Sequence, residues 1–178
     1  MKKALIIKAL CLPALLTILS SCLKGEMDDY DAWREQNDEY VKAIDTKVYT
    51  KVVPVWAPLN SVYIRWHNDT TLTRRNLRPL STSTVNIKYE MENILGEKLG
   101  NSYSSTTFGD SIYQSQPNQN IIGMWAALTT MHVGDSVTMI IPYNSAYGSG
   151  AQGSVKPYSN LIYHVKMKEI VDYERPND

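Results

Sequence analysis

The side chains able to do bond-making chemistry are few and scattered. Histidine occurs only at 67, 132 and 164, with no spacing that would bring two of them to one metal ion. Serine and aspartate are common, yet no G-x-S-x-G elbow places a serine for nucleophilic attack. The run Gly148-Ser149-Gly150-Ala151-Gln152-Gly153 is rich in glycine but lacks the Gly-Lys-Ser/Thr that follows a phosphate-cradling loop. Asn68-Asp69-Thr70 fits a glycosylation sequon, a pattern frequent by chance. Neither a metal nor a cofactor is expected. The abundant functional material is aromatic: 12 tyrosines and four tryptophans in 178 residues.

The two cysteines, Cys11 and Cys22, lie in the first 22 residues. Met1-Lys2-Lys3 is a basic start, and the run from Ala9 to Leu19 is largely apolar. That run is too short to span a bilayer, which takes about 20 apolar residues, and it fits a secretory signal. It ends in Leu19-Ser20-Ser21-Cys22, which resembles the lipobox of bacterial lipoproteins. The resemblance implies cleavage after residue 21 and acylation of Cys22, so that the chain reaches the lipid bilayer through that residue. Several acyl chains anchor where one would not. Leu23 and Lys24 follow, with no aspartate after Cys22, which favours the outer membrane of a bacterial cell envelope. A chain so processed keeps no free thiol and no disulfide. Loss of Lys2, Lys3 and Lys8 leaves 15 basic against 18 acidic groups, net −3. A mildly acidic chain does not suit nucleic acid, whose phosphates call for a basic face.

The elements that must position the aromatic residues follow from periodicity. Residues 22–29 read as a lipidated polar tether. Asp28 to Ile44 reads as a helix, with Tyr30, Trp33, Tyr40, Val41 and Ile44 near one face. Val48–Val53 and Ser61–His67 read as strands, and 68–79 as a polar loop carrying Arg74, Arg75 and Arg78. Thr84–Met91 alternates with period two and reads as a half-buried strand. Gly96 and Gly100 bound a turn region. Ile121–Met131 reads as a short helix, Ser136–Ile141 and Asn160–Ile170 as strands, and 146–157 as a loop. Many strands around one short helix, without repeated βαβ units, predict an antiparallel α+β domain.

A series of motifs in the second half carries a more specific message. It comprises Val85-Asn86-Ile87-Lys88-Tyr89, Gly100-Asn101-Ser102-Tyr103-Ser104-Ser105, Ile121-Ile122-Gly123-Met124, Met131-His132-Val133-Gly134-Asp135, Ile141-Pro142, Ala146-Tyr147-Gly148 and Lys156-Pro157-Tyr158-Ser159-Asn160-Leu161-Ile162-Tyr163. In order and spacing this series resembles the FKBP-type peptidyl-prolyl isomerases over about residues 80–171. The resemblance implies an α+β fold, an antiparallel sheet curled over a short central helix with an apolar pocket between them. It divides the chain into a signal at 1–21, the tether at 22–29, a helix and strand extension at 30–80, the isomerase domain at 81–171 and a polar tail at 172–178.

Carried over by position, the pocket residues are Tyr89, Tyr103, Ile121, Met124, Tyr147, Val155 and Tyr163, with Tyr113 and Ser104 as further substrate contacts. Met124, Tyr89, Ile121 and Tyr163 are expected to receive a proline ring, and Tyr103 to wall the pocket. The Tyr147 hydroxyl is expected to donate to a substrate carbonyl, and the backbone N–H near Val155 to hold the next residue. Met124 stands where the family has a tryptophan, and Ser104 where it has an aspartate. The implied substrate is a proline-containing polypeptide and the implied state a monomer. Rotation about an X-Pro amide, with a barrier of about 20 kcal/mol, breaks no bond to a heavy atom and needs no acid, base or metal. Two other readings fit the same residues. One is a peptide-binding module without turnover. The other is an assembly lipoprotein whose working surface is 26–80, with Trp33, Trp56, Trp66 and the three arginines.

Overall fold

The computed structural model describes residues 19–173 except residue 105, with side chains described from Tyr30 onward. The apolar run ahead of Leu19, the side chain of Cys22 and most of the 172–178 tail lie outside the described residues.

Seven strands form one antiparallel sheet: β1 Thr50–Val52, β2 Val62–Trp66, β3 Thr84–Glu92, β4 Lys98–Asn101, β5 Tyr113–Ser115, β6 Ser136–Ile141 and β7 Leu161–Asp172. Their order is β1-β2-β6-β7-β3-β4, with β5 also on β3. The helices are α1 Leu19–Lys42, α2 Thr70–Thr73 and α3 Ile122–Leu128. The α+β architecture expected from the strand pattern is therefore present. Two differences stand out. α1 begins ahead of Asp28 and takes in the stretch read as a tether. The strands of the 30–80 segment belong to the main sheet, since β2 pairs with β6 from Tyr63↔Ile140 to Trp66↔Val137. A division at residue 80 would cut the hydrophobic core, because Val62 and Ile64 are fully buried in it.

Period-two alternation gives the sheet two different faces. On β7, Tyr163, Val165 and Met167 are buried while His164, Lys166 and Lys168 are exposed. The inner face of the sheet, with Ile87, Val137, Met139 and Ile141, packs on Met124, Ala126, Ala127 and Leu128 of α3 and on Met131. Fully burying such a side chain is worth about 1.5–3 kcal/mol. The outer face carries a smaller cluster, Tyr63, Ile140 and Ile162, covered by Tyr40, Val41, Ile44 and Tyr49.

α1 docks by more than its apolar stripe. Asn37 is fully buried. Its Oδ1 accepts from the Asn160 backbone N–H at 2.7 Å, its carbonyl accepts from Asn160 Nδ2 at 2.6 Å, and its own Nδ2 donates to the Trp33 carbonyl at 2.8 Å. Asn160 Oδ1 in turn accepts from the Tyr143 N–H at 2.9 Å. Trp33 Nε1 donates to Ser159 Oγ at 3.0 Å. A second buried polar centre lies at the opposite end of β6. The Asp135 carboxylate accepts from the His132 N–H at 2.9 Å, Thr73 Oγ1 at 2.6 Å, Asn68 Nδ2 at 3.0 Å and Trp66 Nε1 at 3.2 Å. Burial pushes its pKa up, but these four donors outweigh that and hold it below the ordinary carboxylate value.

Two outcomes are expected. Asn37→Ala leaves the buried Asn160 backbone N–H without its acceptor, while the bond from Asn160 Nδ2 to the backbone carbonyl of residue 37 is kept, and lowers unfolding free energy by about 1–3 kcal/mol, read by urea denaturation. Asp135 has a depressed folded-state pKa, so its contribution is complete above 3.8 and is lost as pH falls through the folded value. Acid titration of the melting temperature reads this, and Asp135→Asn removes that part of the acid limb while costing about 1–3 kcal/mol at neutral pH.

Candidate active site

The placement of α3 against the sheet creates the site. A Cβ on Gly123 would come within 2.3 Å of Ile141 Cγ2, so the helix lies on β6 at a distance only glycine permits. This brings the next residue, Met124, beneath the inner face, where it is 4% exposed. The outer edge of β3 is split. β5 pairs with Val85–Ile87 and β4 with Glu90–Glu92, which leaves an opening at Lys88 and Tyr89. Ser102 fills the backbone gap: its Oγ accepts from the Tyr89 N–H at 3.0 Å, and its own N–H donates to the Tyr89 carbonyl at 3.0 Å.

A cavity of about 290 Å³ results, lined by Ile87, Tyr89, Met91, Tyr113, Gln119, Asn120, Ile121, Met124, Tyr147 and Tyr163. Its floor is apolar, with Met124 and Ile87 buried and Tyr163 8% exposed. The rings are mutually braced: Tyr89 meets Tyr113 edge-on at 5.4 Å and Tyr163 at 5.7 Å with a 50° tilt. Tyr113 and Tyr147 stand at the mouth, each more than a third exposed. No lining residue carries a formal charge. Burial raises the pKa of Tyr89, Tyr147 and, most strongly, Tyr163, with nearby tyrosines adding to each shift. These hydroxyls stay protonated and can donate hydrogen bonds at every ordinary pH.

Six of the nine residues expected in the pocket converge on this cavity: Tyr89, Ile121, Met124, Tyr147, Tyr163 and Tyr113. Three do not line it. Tyr103 is 58% exposed and Ser104 is also exposed, on the loop that leaves the sheet after β4. Val155 is buried in the main core, and its backbone N–H donates to the Gln152 carbonyl at 2.9 Å. That N–H closes a turn and is not free for a substrate, which corrects the role expected of it. Trp125 does not reach the floor. It points away from Met124, stacks on Trp56 at 3.8 Å and donates from Nε1 to Ser81 Oγ at 3.0 Å.

Gln119 and Asn120 were not foreseen. Asn120 Nδ2 donates to Ser115 Oγ and to the Gln116 carbonyl, both at 2.7 Å. It thereby ties the end of β5, which carries Tyr113, to the start of α3, which carries Ile121 and Met124. The only sequence cue was a Pro117-Asn118-Gln119-Asn120 cluster typical of a turn.

This geometry can be set beside known proteins. Residues 76–168, more than half of the chain, match the family model of FKBP-type peptidyl-prolyl cis-trans isomerases. The chain is 32% identical over 99 residues to the FKBP-type 22 kDa peptidyl-prolyl cis-trans isomerase of Escherichia coli, covering 52% of this chain and 44% of that protein. It is 41% identical over 58 residues to the macrophage infectivity potentiator of Trypanosoma cruzi, covering 32% and 30%. The chain thus spans less than half the length of these curated relatives. Among solved structures, FkpA from Escherichia coli aligns with a TM-score of 0.67 at 21% identity, covering 92% of this chain and 71% of that one. A peptidyl-prolyl cis-trans isomerase from Pseudomonas syringae aligns with a TM-score of 0.59 at 16% identity, covering 78% and 91%. At such identities these two speak for the fold. Together with the family match over the stretch that builds the cavity, they give the conclusion that the chain belongs to the FKBP-type peptidyl-prolyl cis-trans isomerase family.

Proposed function

We propose that this protein catalyses cis–trans rotation about X-Pro bonds of exported polypeptides, as a monomer held on the bacterial cell envelope by lipid on Cys22, at the outer membrane. The observation that carries the catalytic part is a cavity floored by Met124, Ile87 and Tyr163, walled by three further tyrosines and free of formal charge. A planar amide is polarised by resonance. At the 90° transition state that resonance is lost and the carbonyl becomes less polar. A dry pocket favours the twisted state over the polarised one, and only such differential binding lowers a barrier. In this reading the proline ring sits on Met124 and Tyr163, and the Tyr147 hydroxyl at the mouth donates to a substrate carbonyl. The envelope part rests on Leu19-Ser20-Ser21-Cys22 behind a basic, apolar leader.

A protease-coupled proline-peptide assay on residues 23–178 tests the activity. Acceleration is expected, and none at micromolar protein would refute it. The rate is expected to stay flat from about pH 5.5 to 9, because no histidine, carboxyl or amine lines the cavity. A bell-shaped profile would reveal a proton-transfer step this reading lacks.

A second reading, peptide binding without turnover, is favoured by the methionine at the floor and by the engaged Val155 N–H. Met124→Trp separates the two. If the floor alone limits catalysis, turnover rises about tenfold, equivalent to ~1.4 kcal/mol of barrier, with peptide affinity little changed. A pocket that binds peptide and stays inactive as Met124→Trp, while melting normally, supports the binding module.

A further inference from the structure

The cavity uses none of the tryptophan and arginine residues of the 30–80 segment. Two of the three tryptophans there are spoken for: Trp33 holds Ser159 and Trp66 holds Asp135. Trp56 is different. One face stacks on Trp125, and the residue remains 47% exposed. It sits in the β1–β2 loop between Pro54 and Pro58, with Val53 47% and Val55 95% exposed. Across a groove of about 450 Å³ this loop faces Arg78, Pro79 and Leu80. Arg78 is braced there, donating to the Thr129 carbonyl from Nε at 3.3 Å and from Nη2 at 2.7 Å. Thr130 borders both this groove and a neighbouring hollow of about 380 Å³ lined by Arg74. The two hollows therefore adjoin at Thr130.

We infer that this face, built from Val53, Val55, Trp56 and Leu80 with Arg74 and Arg78, rests on a phospholipid bilayer surface. Among the described residues neither arginine takes part in an ion pair. Of the nearby acids, Asp69 is engaged in capping α2 and Asp135 is buried under four donors. Both carboxylates keep their charge, yet neither pairs with Arg74 or Arg78, so the face offers guanidinium groups with no carboxylate partner, and their planar forks match phosphate oxygens. Val55 projects almost wholly into water from a proline-stiffened loop. A folded partner would need a pocket cut to receive it, whereas the headgroup–acyl boundary yields to a protruding side chain. A half-exposed indole that shares its groove with Arg78 suits the same boundary.

The inference deepens the envelope reading but is tested apart from it. The chain from Leu23 keeps every described side-chain contact and lacks both leader and acyl group, so its binding is free of any contribution from the anchor. Co-sedimentation is measured with vesicles of phosphatidylethanolamine and phosphatidylglycerol, and with phosphatidylcholine alone. Binding to the anionic vesicles is expected, weakened by salt. Arg74→Glu and Val55→Asp are each expected to lower it about fivefold or more, with melting temperature and proline-peptide binding unchanged. Absence of binding, or equal binding by both variants, overturns the inference. So does a loss confined to an unfolded polypeptide client while vesicle binding persists, which would make the face a polypeptide dock. Incorporation of labelled fatty acid at Cys22 is scored separately. Vesicle binding without acylation removes only the anchor.

Discussion

Gly123 against Ile141 is the contact on which the site depends. A helix of seven residues is too short to hold itself in water, so α3 exists because its inner face is buried on the sheet. Ala126, Ala127 and Leu128 supply that burial, and the missing Cβ at 123 sets how close the helix comes. Closeness at that point decides the depth of Met124, and the depth of Met124 decides that a cavity remains above it. Asn120 fixes the other end of the same arrangement by carrying the wall residue Tyr113 to the helix start.

The cavity's character follows from what surrounds it. Its apolar floor comes from side chains that also serve the core, namely Ile87, Met124 and Tyr163. Its polarity comes from neutral hydroxyls and amides at the walls and mouth. Such a lining can align a peptide by hydrogen bonds without solvating the zwitterionic resonance form of an amide, which a charged group would do. The charged residues of β3 are instead committed to ion pairs facing elsewhere, Lys88 with Asp110 at 2.8 Å and Glu90 with Lys98 at 2.7 Å.

Much of this was legible in the sequence where burial enforces a period. The alternation in Thr84–Met91 located β3, and the apolar run 121–131 located α3 with its final residues in a turn. Six of the residues picked out by motif order line the cavity, Tyr113 among them. Three kinds of feature were illegible. β4 and β5 are four and three residues long, too short for a period to show. The orientation of Tyr103 and Ser104, and the engagement of the Val155 N–H, depend on loop conformations that residue order does not encode. Nothing in the residues around Asn37 marks it for burial. Its partner lies 123 positions away, so its burial became visible only with the chain folded.

The Asn37–Asn160 clasp also sets how the molecule bears load. Tension entering through the residues ahead of Tyr30 meets the Trp33–Ser159 hydrogen bond and then the two short hydrogen bonds at the head of β7. β7 is hydrogen-bonded along its length between β6 and β3, so the pull is spread as shear over the middle of the sheet. α3 lies off that line of force, whereas two residues of the cavity floor, Tyr163 and Ile87, stand on β7 and β3 themselves.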